Sequence, residues 1–173
     1  MESLKTNTWT QIFGHPTQFA LIKNNLLTTI PSLTKEWVVE FSFKPTNLQH
    51  EGWTTIFHMT KGGEWDYGIR TPAVFYHPGY CLQVTSVVNN NVNFYNLFPA
   101  PTVGEWTKIR VSQELLDYKL KFRVLIDGVE KVNVENENAV VFQNVKVFAS
   151  NPWNKAQPGF VKDLSIKMRN LLI

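Results

Sequence analysis

Apolar and polar residues alternate with a period of two along most of the chain, and Gly, Pro or Asn interrupts the alternation at short intervals. Residues 36–43 are the clearest case: Trp37, Val39, Phe41 and Phe43 fall on one face, Glu36, Val38, Glu40 and Ser42 on the other, and Lys44-Pro45 ends the run. That is the signature of a half-buried strand. Residues 53–60 set Trp53, Thr55, Phe57 and Met59 against Thr54, Ile56, His58 and Thr60 before a turn at Lys61-Gly62-Gly63. Further strands are predicted over 18–23, 26–30 (closing at Pro31), 65–69, 73–77, 80–88, 92–97 and 106–113, then over 119–126, 129–134, 140–142, 144–149 and 160–168. Asn89-Asn90-Asn91 and Asp127-Gly128 read as hairpin turns, because Asn and Asp-Gly tolerate the positive φ that such turns require.

Helical periodicity is nearly absent. Only residues 112–118 are compatible with a short helix or a turn, and the first dozen residues carry no signal beyond Trp9. Short strands punctuated this way predict an all-β sandwich. The expected core takes Trp37, Phe41 and Phe43 from one strand and Phe57, Val111, Phe122, Val124, Val145 and Val147 from others. Without a linker, repeat or low-complexity tract, residues 1–173 read as a single domain.

Composition narrows the function. Aromatic residues make up 13% of the chain, with six Trp and twelve Phe, which implies a thick aromatic core, rings available to a ligand, or both. Seventeen basic and fourteen acidic residues leave a formal charge of +3, and the cations are scattered rather than gathered into a phosphate-gripping run, so nucleic acid is not an expected partner. The single Cys81 excludes an internal disulfide and a Cys-based zinc site, and its alternating apolar surroundings suit a buried, inert thiol. No apolar run is long enough to span a bilayer, so membrane insertion is not expected, and no Asn-x-Ser/Thr glycosylation acceptor is present.

Catalytic chemistry finds little support. Laminarinase-type glycosidases place three carboxylates on one strand as Glu-x-Asp-x-Glu; here Glu64 and Asp66 keep the spacing but Gly68 stands at the third position, removing the nucleophile or the acid. The four histidines, at positions 15, 50, 58 and 77, lie in four separate segments without zinc-ligand spacing, and His58 and His77 read as hydrogen-bonded structural residues. Oxygen donors for calcium exist at Asp66, Asn89 to Asn91, Asp127, Asn151 and Asn154, all at expected turns, where these residue types also serve as turn formers. The chain is therefore read as non-enzymatic, with no assigned metal and calcium as the one conceivable ion.

Saccharide recognition combines an aromatic ring against the apolar face of a sugar with polar side chains on its hydroxyls. The segment Glu64-Trp65-Asp66-Tyr67-Gly68-Ile69-Arg70 supplies both, and Tyr76, His77 and Tyr80 follow closely. Burial of Trp65 and Tyr67 in the core is the competing reading, and the bracketing Gly63 and Gly68 favour a loop, where binding residues concentrate.

Blocks distributed along nearly the whole chain resemble the concanavalin A-like or laminin G-like single-domain modules of marine invertebrate proteins. They include Lys35-Glu36-Trp37, Phe57-His58-Met59-Thr60, Gly62-Gly63, Arg70-Thr71-Pro72, Gly104-Glu105-Trp106, Asn151-Pro152-Trp153 and Ala156-Gln157-Pro158-Gly159. The resemblance implies a jelly roll of two antiparallel sheets, an extracellular setting, and recognition or matrix function rather than a reaction. Where those modules read Tyr-Gly-Asp-Arg-Thr-Pro, this chain has Ile69 in place of the Asp, which argues against a calcium contact there. The Asn151-Pro152-Trp153 block reads as structural, with Trp153 packed and Gly159 admitting the last strand to the sandwich.

The expectation is thus lectin-like binding of a glycan or glycoprotein at a loop-rimmed site comprising Trp65, Asp66, Tyr67, Arg70, Tyr76, His77 and Asn151. A structural or adhesive matrix protein acting by self-association is the alternative, and a glycoside hydrolase-like enzyme the third reading.

Overall fold

A computed structural model describes residues 8–49, 51–77, 79 and 81–169. Among the described residues there are fourteen strands: β1 (Thr10–His15), β2 (Phe19–Ala20), β3 (Leu26–Leu33), β4 (Glu36–Pro45), β5 (Thr54–Thr60), β6 (Ala73–His77) and β7 (Cys81–Val88), then β8 (Asn91–Pro99), β9 (Thr107–Leu116), β10 (Lys119–Ile126), β11 (Val129–Glu135), β12 (Phe142–Phe148), β13 (Lys155–Ala156) and β14 (Gly159–Arg169). There is no helix among the described residues. The first sheet runs β1-β14-β4-β9-β10-β11 with β2 on β14; the second runs β3-β12-β5-β6-β7-β8 with β13 on β5. All pairings are antiparallel except that of β13 with β5. The protein is a two-sheet β-sandwich.

The alternation seen in β4 is realised: Trp37, Val39, Phe41 and Phe43 all face the core. The second sheet answers with Phe57, Val74, Leu82, Val84, Val145 and Val147. Ring pairs join the two layers, Phe41 with Phe57 at 5.4 Å and Phe94 with Phe122 edge-on at 5.9 Å.

Several segments depart from the pattern. Residues 65–69 form no strand; they belong to a loop between β5 and β6. Residues 112–118 are not helical, since β9 continues to Leu116 and a turn follows. Its polar side chains are satisfied locally and from a neighbouring segment: Ser112 Oγ donates to Glu114 Oε2 at 2.6 Å within β9, and Gln113 Nε2 donates to the Lys35 carbonyl at 2.7 Å. Pro31 does not end β3, because this edge strand pairs on one side only and can lack a donor on the other. Residues 140 and 141 precede β12 rather than forming a strand of their own, and β1 and β13 carried no expectation.

Two cross-strand rows decorate the outer face of the second sheet. His58, Ala73, Thr85 and Tyr95 are in register across β5, β6, β7 and β8; Thr55, Phe75, Gln83 and Leu97 form the adjacent row. A bulge in β5 between Thr55 and Phe57 lets Ile56 join the core while His58 turns outward. On this outer face lies a groove.

Candidate functional site

The groove has a volume of about 470 Å³ and is floored by Phe75, Gln83, Asn93, Tyr95 and Leu97. Trp53, just before β5, forms one wall, its indole edge-on to His77 at 4.2 Å and to Phe75 at 6.1 Å. The opposite wall is the loop 61–72, which carries Trp65 and Arg70. That loop is stitched to β5: Lys61 N–H donates to the Gly68 carbonyl, Thr71 N–H to the Met59 carbonyl, and Met59 N–H to the Pro72 carbonyl. Gly68 has φ of +105°, and a Cβ there would come within 2.6 Å of the Phe142 ring, so no carboxylate-bearing residue fits the third position of the glycosidase motif without moving the loop.

Arg70 sits between aromatic faces, its guanidinium carbon 5.4 Å from the Trp65 ring and 5.5 Å from that of Phe75. Its Nη1 donates to Asn93 Oδ1, which also accepts from Thr85 Oγ1 at 3.0 Å. Burial lowers the guanidinium pKa from its ordinary value. Among the described residues no carboxylate pairs with it. Trp65 itself is 67% exposed, a large ring held in solvent by its loop.

A second hollow of about 460 Å³ continues past Trp65 and Arg70 to His58, Asn154 and Trp153. His58 holds two loops together: its Nε2 donates to the Ile69 carbonyl at 2.8 Å, and its Nδ1 accepts from Asn151 Nδ2 at 2.9 Å. Acceptance at Nδ1 requires the neutral ring. Burial lowers the His58 pKa to about 4, against a smaller opposing effect of the Ile69 contact, with Arg70 nearby acting in the same direction as burial. Asn151 Oδ1 in turn accepts from the backbone N–H groups of Trp153 and Asn154, at 3.0 and 2.8 Å. This turn presents Trp153 at 61% exposure, so the block Asn151-Pro152-Trp153 does not pack its tryptophan away as the sequence suggested. A third hollow of about 440 Å³ lies on the other side of Trp153, with Lys61, Lys146 and Phe148 in its lining.

The expected site residues separate into groups. Trp65, Arg70 and His77 meet at the groove. Asn151 is buried and positions Trp153 and Asn154 rather than offering its own amide. Tyr67 turns away: its ring packs 6.0 Å from Phe142 and its hydroxyl donates to the Asn138 carbonyl at 3.0 Å, and burial raises its phenol pKa. Asp66 is exposed and folds its carboxylate over Gly63, outside the groove lining. Tyr76 is only 1% exposed, because its neighbours Phe75 and His77 take the outward positions of β6. Trp53, Asn93, Tyr95 and Trp153 were not anticipated, although the alternation of Asn93, Tyr95 and Leu97 along β8 would have grouped three of the floor residues.

The oxygen donors considered for calcium are engaged in turns. Asp127 Oδ1 accepts from Lys108 N–H, Asn91 Oδ1 from Asn93 N–H, and Asn151 as above. No group of three or more His, Cys, Asp or Glu among the described residues is placed to hold a metal ion. Cys81 is half-buried and unpaired, and burial raises its thiol pKa. His50, Pro78 and Tyr80 lie outside the described residues.

The β-sandwich fold is similar to that of solved modules from other proteins. The CBM40 of a Ruminococcus gnavus IT-sialidase, solved bound to α2,6-sialyllactose, superposes with a TM-score of 0.55 at 12% identity over 92% of this chain and 95% of its own. Domain 4 of AbnA, a GH43 extracellular arabinanase from Geobacillus stearothermophilus in complex with arabinotriose, gives 0.52 at 18% identity, covering 95% and 84%. The binding domain of botulinum neurotoxin DC in complex with SialylT gives 0.58 at 11% identity, and the chain spans 48% of that domain's length. No family model matches the sequence, and no curated protein sequence matches it either. No helix among the described residues is long and apolar enough to cross a membrane.

Proposed function

We propose that this protein is a non-catalytic, lectin-like module that binds a glycan along the outer face of the second sheet, in an extracellular setting. The observation that carries the reading is the groove between Trp53 and Trp65, where exposed indoles flank Arg70, Asn93 and Gln83. Broad aromatic faces suit the apolar faces of pyranose or furanose rings, and amide and guanidinium groups suit their hydroxyls. The saccharide complexes of the R. gnavus and G. stearothermophilus modules support the class of ligand by analogy of fold. Glu64 and Asp66 are exposed, and Gly68 leaves the glycosidase motif without its third carboxylate, which favours binding over hydrolysis. The laminin G-like kinship suggested by the sequence belongs with this proposal.

A glycan array followed by titration of the best ligand tests it. The Trp65→Ala variant is expected to bind about tenfold more weakly, the fold-change of ~1.4 kcal/mol of lost contact. Its melting temperature should stay unchanged, since the ring is exposed. An array silent for every saccharide class would remove the proposal.

A further inference from the structure

Neighbouring hollows share lining residues. The first two share Trp65, Arg70, Phe75 and Asn154, and the second and third share Trp153. The charged side chains lining the three hollows are Arg70, Lys61 and Lys146 against a single carboxylate, Glu64. On the first sheet several charges are paired: Glu40 meets Lys108 and Arg110, Glu114 meets Arg110 and Arg123, and Glu135 meets Lys119. Among the described residues none of the three groove cations has a carboxylate partner.

A half-buried guanidinium without a counter-charge is costly unless a ligand supplies one. Arg70 is also held ready for such a ligand. Its plane is set between two rings and its Nη1 is fixed on Asn93, while a guanidinium has five N–H donors in a fork that matches carboxylate or sulfate oxygens. We propose that the groove takes an acidic polysaccharide, with one anionic group set against Arg70 and the chain continuing over Trp153 toward Lys61 and Lys146. This rests on the glycan-binding reading and specifies its ligand. Aromatic platforms on Trp65 and Trp153 carry successive sugar rings, and the cations beside them read the charges.

The test is calorimetric titration of the full chain with four probes: a polyuronide, the same polymer with its carboxyl groups reduced to alcohols, a sulfated glucan, and oligouronides of increasing length. Binding to the polyuronide or the sulfated glucan, with the reduced polymer at least about tenfold weaker, is the expected result, since charge-assisted contacts exceed neutral ones. Which of the two binds tells carboxylate from sulfate. Affinity should rise with oligouronide length and fall with added salt. Arg70→Gln should weaken all acidic ligands about tenfold or more, Arg70→Lys should restore only part, and Lys61→Gln with Lys146→Gln should cost more for long oligomers than for short ones. Glu64→Gln, at an exposed position, should strengthen binding. Equal affinity for the polyuronide and its reduced form would overturn the inference while leaving the module a glycan binder. Binding of none of the probes, with a neutral glycan bound on the array, would also overturn it. Silence of both probes and array would remove the two readings together.

Discussion

His58 is buried between two loops, and its two ring nitrogens bond the Ile69 carbonyl and the Asn151 amide. Its position decides how the site responds to acid. The ordinary imidazole pKa of 6.5 is lowered to about 4 in the folded protein, chiefly by burial, so in this window the unfolded chain takes a proton that the folded chain refuses. Stability from this group is therefore full above pH 6.5 and is lost as pH falls toward 4, by an amount on the order of 3 kcal/mol. Urea unfolding of the native protein and of His58→Gln at several pH values across that window checks it. The variant should show the shallower dependence, and identical slopes would count against His58. The sequence identified this histidine as structural from its place in an alternating strand, yet gave no hint of Asn151 as its partner, 93 positions away. Tyr76 and Phe75 illustrate the converse problem. Both are aromatic neighbours on β6, and only knowing which side of the sheet packs against its partner assigns Tyr76 inward and Phe75 to the groove.

The strands were legible because one face of each is packed and the period-two pattern survives in the residue order. The loop 61–72 was not, because Trp65 and Tyr67 imitate an alternating strand while Asp66 and Ile69 close a turn through the Ile69 N–H and Asp66 carbonyl. Polar residues hid the reach of β9 as well: Gln113 finds its partners at Lys35 and Asn136, far away in the sequence. Glu36 is the strongest case. Fully buried at the start of β4, it accepts from Arg169 Nη2 at 2.8 Å and Nε at 3.0 Å, and from Leu115 N–H at 2.7 Å, tying β4 to β14 and β9. Glu36→Ala should destabilise the fold by about 3 kcal/mol, because a mostly buried guanidinium and a backbone donor lose their acceptor. Chemical denaturation measures this, and a loss below about 1 kcal/mol would show that Arg169 regains water freely.

Across the whole molecule the two outer faces differ in kind. The first sheet carries a lattice of ion pairs in which Arg123 bridges Glu114 and Glu130, and such partly exposed pairs contribute little individually. Arg123→Gln is accordingly expected to cost about 1 kcal/mol or less and to leave saccharide affinity unchanged, as paired melting and titration experiments would reveal. The second sheet instead presents the groove, with its exposed indoles around a half-buried Arg70. Composition left open whether the many aromatic residues served the core or a ligand, and the division depended on the sandwich being assembled: Trp37 went to the core, while Trp53, Trp65 and Trp153 went to the hollows of the second sheet.

Those tryptophans also provide the most direct test of where ligand binds. The indole N–H resonances of Trp37 in the core and of Trp106, which lies between Lys44 and Lys162 on the first sheet, serve as internal references. In an NMR titration with the bound glycan, the indole signals of Trp53, Trp65 and Trp153 should move together while those of Trp37 and Trp106 stay in place. Movement of the Trp106 signal with Trp65 and Trp153 unmoved would contradict the account.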